Sequence, residues 1–151
     1  MLIVTLVQAH FEPCLRWLKQ LQVHLKPLER WGIIKLWDDT KIPAGATSQE
    51  EIGNALEAAT IAVTLVSPDF LASDFISEYE LPTLLSRAKT RGTRILSVIL
   101  SHCLFDKSGL EIFQTINPPT KPLSEMTRGE RDKIWVSLAE AIQASLEQGK
   151  P

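Results

Sequence analysis

The chain has 151 residues, of which 44% are hydrophobic and 23% charged, with a formal net charge of −2, the composition of one globular domain with its own core. The mildly acidic balance gives no case for nucleic acid, and no stretch is apolar for long enough to span a membrane or form a signal-peptide core, so a cytoplasmic setting is expected. Cys14 and Cys103 make neither a redox nor a metal-ligand spacing, and no metal site is expected.

Residues 2–7 (LIVTLV) read as a first buried strand. A helix is predicted over 13–28, with Pro13 in its first turn and Leu18, Leu21, Leu25 and Leu28 at helical spacing; Pro27 and Gly32 should close it. Residues 32–37 (GIIKLW) form the second strand. The polar loop 38–47 (DDTKIPAGAT) follows, with Pro43 and Gly45 as turn residues. Ser48 and Glu51 fit a capping box that starts a second helix running to about Ala59. Residues 60–66 (TIAVTLV) make a β-branched apolar run stopped by Ser67 and Pro68, the pattern of a strand buried on both faces.

A helical region then extends to about Arg91, interrupted by Pro82 and ended by Gly92. Residues 93–100 (TRILSVIL) are the fourth strand, and 101–123 is irregular, with Pro118, Pro119 and Pro122. Thr127 and Glu130 fit another capping box for a last helix to about Gln148. Residues 1–148 read as a single domain and 149–151 as the start of a linker. The alternation of strands and helices gives an α/β sandwich with a mostly parallel sheet.

Ligands of such sheets sit beyond the carboxyl ends of the strands. That places interest on Glu80, the acidic residue among apolar neighbours after the third strand. Two other readings stay open. Ser77 and Glu80 fit a capping box before Pro82, and Glu78 is a rival carboxylate that points about 200° away on a helix. Asp38 and Asp39 have the bland reading of solvated turn acids, Trp37 that of a packing residue, and His10 that of an inert loop histidine. No glycine-rich dinucleotide or P-loop motif is written here, and the acidic positions do not fit a phosphate-accepting receiver.

The segments WDDTKIPAG from Trp37 to Gly45, Glu50-Glu51-Ile52, LVSPDFLASDF and Glu80-Leu81 together resemble a bacterial Toll/interleukin-1 receptor (TIR) domain. The resemblance covers nearly the whole chain and implies a flavodoxin-like three-layer sandwich of about five parallel strands flanked by helices. A fifth strand should then lie within 101–123. It also implies cleavage of the nicotinamide–ribose bond of NAD⁺, as a substrate rather than a cofactor, with Glu80 catalytic, in a signalling or antiphage-defence effector. Ile76, Tyr79, Asp38, Ser48 and His10 become candidate substrate contacts, although enzymatic relatives often carry aromatics where this chain has Ile76 and Ser48. The loop holding Asp39, Ile42, Pro43 and Gly45 becomes a candidate assembly element for self-association. A non-catalytic adaptor module and a sensor that binds NAD⁺ without cleaving it are the alternatives from other functional classes.

Overall fold

The computed structural model describes residues 2–7, 12–42 and 45–148, the side chains of Glu12, Ser48 and Gln148 apart. Strands β1 (Leu2–Leu6), β2 (Lys35–Trp37), β3 (Ile61–Val66), β4 (Arg94–Ile99) and β5 (Gln114–Thr115) form one sheet in the order β2-β1-β3-β4-β5. Every pairing is parallel. Parallel neighbours require long crossovers, which here contain helices α1 (Glu12–Arg30), α2 (Ser48–Ala58), α3 (Pro68–Ala72) and α4 (Leu81–Arg91), with α5 (Arg128–Gln148) following β5. The expected flavodoxin-like sandwich is therefore present. Its strand order reverses between β1 and β3, and the carboxyl ends there form the crevice in which sheets of this order bind ligands.

Side chains alternate across each strand. Ile3, Val63, Leu65 and Val98 face Leu18, Leu21 and Leu25 of α1 and Trp135, Leu138 and Ile142 of α5. Val4, Leu6, Ala62 and Ile99 face Ile52 and Leu56 of α2 and Leu84 of α4. All six residues of β3 are buried. The buried hydroxyls of Thr64 and Ser97 satisfy one another across β3 and β4, 2.6 Å apart.

Three local expectations need correction. First, α1 runs past the expected end near Leu28 to Arg30, so Pro27 does not help to close it. Pro27 has no N–H, yet its carbonyl accepts from Trp31 N at 2.9 Å and that of Leu28 from Ile33 N at 3.0 Å, while Leu28 reaches the core. That extra turn outweighs the one missing bond, and Gly32, at φ +75°, stops the helix. Second, the box expected at Ser48 and Glu51 is out of register: Thr47 is the N-cap of α2, its side chain makes no capping bond, and Ser48 is already helical. Third, Pro82 does not interrupt its helix, because a wider turn precedes it. The second box is as expected, since Thr127 N donates to Glu130 Oε1 at 3.1 Å and Glu130 N to Thr127 Oγ1 at 3.2 Å. No described helix is long and apolar enough to cross a membrane.

The fifth strand falls inside 101–123 and is only two residues long. Its short ladder is supplemented by the buried Asn117 side chain. Ile99 N donates to Asn117 Oδ1 at 2.9 Å, and Asn117 Nδ2 donates to the carbonyls of Ile99 and Lys121, each at 3.0 Å. Replacing Asn117 by Ala leaves those backbone groups without partners in a dry site. Asn117→Ala should therefore lower stability by about 2–4 kcal/mol in urea unfolding; a change below about 0.5 kcal/mol would show that water or backbone shifts replace the side chain.

Candidate active site

The loop after β2 is built around Asp38. This residue is buried, and its backbone is extended so that its side chain caps the single 3₁₀ turn Asp39–Lys41. Thr40 N donates to Asp38 Oδ1 at 2.9 Å, as does the Thr40 hydroxyl, and Gln22 Nε2 of α1 donates to Oδ2 at 3.1 Å. Both oxygens are thus committed to holding the loop. Lys41 folds back, its Nζ donating to the Leu36 carbonyl at 2.6 Å. Ile42 is half-buried against the domain's own core, and exposed Gly45 takes φ +86°, a left-handed turn position suited to glycine.

The segment after β3 is unusual in its hydrogen bonding. Ser67 caps α3 through Phe70 N at 3.0 Å, and Ser73 then accepts from Ile76 N at 3.3 Å to open a new helical segment. That segment starts as a π turn, Ile76–Glu80, in which Leu81 N donates to the Ile76 carbonyl five residues back. Pro82 lies in the first turn of α4 directly after it. Proline has no N–H to give and its ring crowds the carbonyl of the residue four before it, so the wider turn absorbs the defect and the helix continues. Single π turns of this kind occur most often at functional sites. Ser77 does not pair with Glu80; its hydroxyl donates to the Leu71 carbonyl at 3.1 Å, which removes the capping-box reading.

Tyr79 holds the π turn against α2. Its hydroxyl donates to the Gln49 carbonyl at 2.8 Å, and its ring stacks on Phe75 with centroids 5.6 Å apart. A Cβ on Gly53 would sit 3.0 Å from that hydroxyl, so a glycine in mid-helix leaves the room it needs. Within this frame Glu80 turns inward and is 3% exposed, whereas Glu78 is exposed. Glu80 Oε2 is buried with no hydrogen-bond partner among the described residues. Burial, and then repulsion from Asp39, raise its pKa from 4.5 to about 8.

Of the residues singled out in the sequence, the fold thus sets Glu80 near Asp39 at the carboxyl end of the sheet, while the Tyr79 hydroxyl is turned to α2. Ile76 is 2% exposed and packed in the core, where it offers a ligand no surface. Asp38 shapes the loop. His10 and Pro43 lie outside the described residues, as do 149–151, and the Ser48 side chain is outside the described atoms. Sequence reasoning did not find the roles of Gln22, Gln49 and Gly53, nor the electrostatic role of Asp39. A glycine inside a predicted helix and a proline two residues after an acidic one were the available signals.

The site as described offers one buried carboxyl that is neutral at pH 7 and able to ionise if a cation approaches. Among the described residues, no group of three or more His, Cys, Asp or Glu side chains is arranged to hold a metal. Between pH 4.5 and about 8 the folded chain keeps a proton that the unfolded chain has lost. Stability from this group is therefore complete below pH 4.5 and falls as pH rises through about 8. Glu80→Gln, which mimics the protonated acid, should match the parent near pH 4 and exceed it by about 3 kcal/mol near pH 7 in urea unfolding. Equal stability at both values would mean that Glu80 ionises freely.

A family profile described as TIR domain matches residues 15–146. The chain is also similar to "Uncharacterized protein y4lF" of Sinorhizobium fredii (strain NBRC 101917 / NGR234), at 26% identity over 124 residues, 82% of this chain and 38% of that protein. The chain thus spans well under half the length of that relative.

Proposed function

The chain belongs to the TIR domain family, and we propose that it cleaves the nicotinamide–ribose bond of NAD⁺, with Glu80 as the carboxylate that meets the ribose. The observation that carries this reading is the buried oxygen of Glu80 at the carboxyl end of the sheet, unpartnered among the described residues, in the Glu-Leu pair that the family resemblance marks as catalytic. A signalling or defence role and a cytoplasmic setting belong to the same proposal.

The chemistry needs little else. Nicotinamide is bound to ribose as a pyridinium and leaves as a neutral molecule, so its departure requires no general acid, unlike an ordinary glycoside. The C1′–N bond breaks with its electron pair going to nicotinamide, and positive charge develops on the ribose. A carboxylate nearby stabilises that charge most in the transition state, the condition for raising the rate. Water then adds to C1′ and gives up its proton to Glu80; attack by an adenine nitrogen instead would close a cyclic product.

A bound pyridinium opposes the repulsion from Asp39 and favours loss of the Glu80 proton. Tyr79 and Phe75 form a stacked aromatic pair on the π turn, and they are the aromatics nearest in sequence to Glu80. Because Ile76 is sealed in the core, the adaptor reading keeps specific support. A folded protein that releases no nicotinamide at any concentration would favour it.

Incubation with NAD⁺ should release nicotinamide, read by chromatography. Glu80→Gln should reduce that release by about 10³-fold or more, whereas Glu78→Gln should leave it within about twofold. A folded Glu80→Gln protein with parental turnover would sink the assignment. The free enzyme must lose the Glu80 proton, so kcat/KM should rise about tenfold per pH unit and level off above about 8.

Self-association through the loop after β2 is the second part of the proposal. Ile42 is already partly buried against the core of its own domain, so a charge placed there would test folding as well as assembly. The cleaner measurement is specific activity against protein concentration. It should increase with concentration if a neighbour completes the site, and stay flat if one protomer suffices.

A further inference from the structure

Away from Glu80, on the outer surface where α1 meets α5, lies an open cleft of about 500 Å³, a volume within the range of small-molecule sites. Its walls carry Arg16 and Lys19 from α1 and Arg128 and Arg131 from α5, with Asp132 and His24 at one end. Residues three apart share a helix face, so each helix presents a pair of cations and the two pairs flank the same space. Arg16, Lys19 and Arg128 are exposed and make no ion pair among the described residues. The one acidic lining residue, Asp132, is engaged by His24, whose Nε2 lies 3.1 Å from Asp132 Oδ1.

The cleft is held in shape. The Arg131 guanidinium lies 4.8 Å from the centroid of the Trp17 ring, and its Nε donates to the Leu123 carbonyl at 2.8 Å. That fixes the plane of the guanidinium and leaves its two terminal nitrogens for a ligand. Beneath, Trp135 Nε1 donates to Gln20 Oε1 at 3.3 Å, and the His24 ring stacks on Trp135. A planar guanidinium fixed in this way matches the oxygens of a phosphate through paired hydrogen bonds.

We propose that this cleft binds a compact oligophosphate anion, one with at least two linked phosphate groups. The two cation pairs call for more than one anionic centre. A symmetric contact between two copies of the chain would set these cations against each other, which argues against that occupant. A nucleoside diphosphate or triphosphate and a free inorganic oligophosphate share the required chemistry. The site is separate from the one around Glu80 and does not depend on the activity proposed there.

Calorimetric titration of the whole chain at low salt tests the proposal, with inorganic triphosphate, ATP, AMP and a short nucleic-acid duplex as probes. Inorganic triphosphate should bind saturably to one site, more tightly than AMP, and should weaken as salt is raised. Equal binding of triphosphate and ATP would place recognition in the phosphate chain alone; tighter ATP binding would add the nucleoside to it. Arg16→Gln/Lys19→Gln/Arg128→Gln should lower triphosphate affinity about tenfold or more. All three side chains are exposed, so circular dichroism should show an intact fold, and Arg128→Gln alone serves as a milder second variant. Absence of saturable binding, an affinity unchanged in the folded triple variant, or preference for the duplex over triphosphate would each overturn the assignment.

Discussion

Six consecutive buried residues, Ile61–Val66, impose the architecture. A strand dry on both faces must find hydrogen bonds on both edges and apolar partners above and below. β1 and β4 supply the edges. The helices supply the two faces, α1 and α5 on one side, α2 and α4 on the other. Once β3 is central and parallel to its neighbours, every connection must return across the sheet, and all carboxyl ends gather on one side. The site is a consequence of that arrangement, since β2 and β3 both deliver their following segments to that side.

The energetics of Glu80 set the site apart from this economical frame. Most buried polar groups here are matched: Thr64 with Ser97, Asn117 with three backbone groups, Asp38 with Thr40 and Gln22. Glu80 has a buried oxygen with no such match among the described residues and a negative neighbour in Asp39. A fold optimised for stability alone would replace this acid by an amide or an apolar residue. Proteins commonly sit just above the stability they require and accept a local deficit where chemistry happens. The secure core around β3 is what makes the deficit tolerable.

Much of this was legible in the sequence because the signals were local. The runs LIVTL and IAVTLV are apolar at every second position and between, which marks strands buried on both faces, and Thr127 with Glu130 marked the start of α5 through two reciprocal bonds. The fifth strand was expected only from the family resemblance. Two residues, Gln114 and Thr115, carry no periodicity, and their place depends on Asn117 reaching across to Ile99. Glu80 stood out by its position after β3, but choosing it over Glu78 from residues alone was beyond helical periodicity, because an ideal wheel does not include a π turn. The two prolines were over-read for a similar reason. Pro27 and Pro82 are local breakers, but burial of Leu28 carries α1 through the first and the π turn before α4 absorbs the second.

The π turn at Ile76–Glu80 has a meaning for how this segment can change. It works like a one-residue frameshift in side-chain direction: residues before it and after it follow two helical wheels, out of phase by roughly 100°. Ile76 belongs to the first wheel, and Leu81 and Leu84 to the second, and all three are buried. A substitution leaves both phases intact. A single deletion between Ser73 and Leu81 would merge them, forcing one set of anchors out of the core. The segment is therefore constrained in length as well as in residue type, and the length constraint falls on residue count rather than on any one side chain.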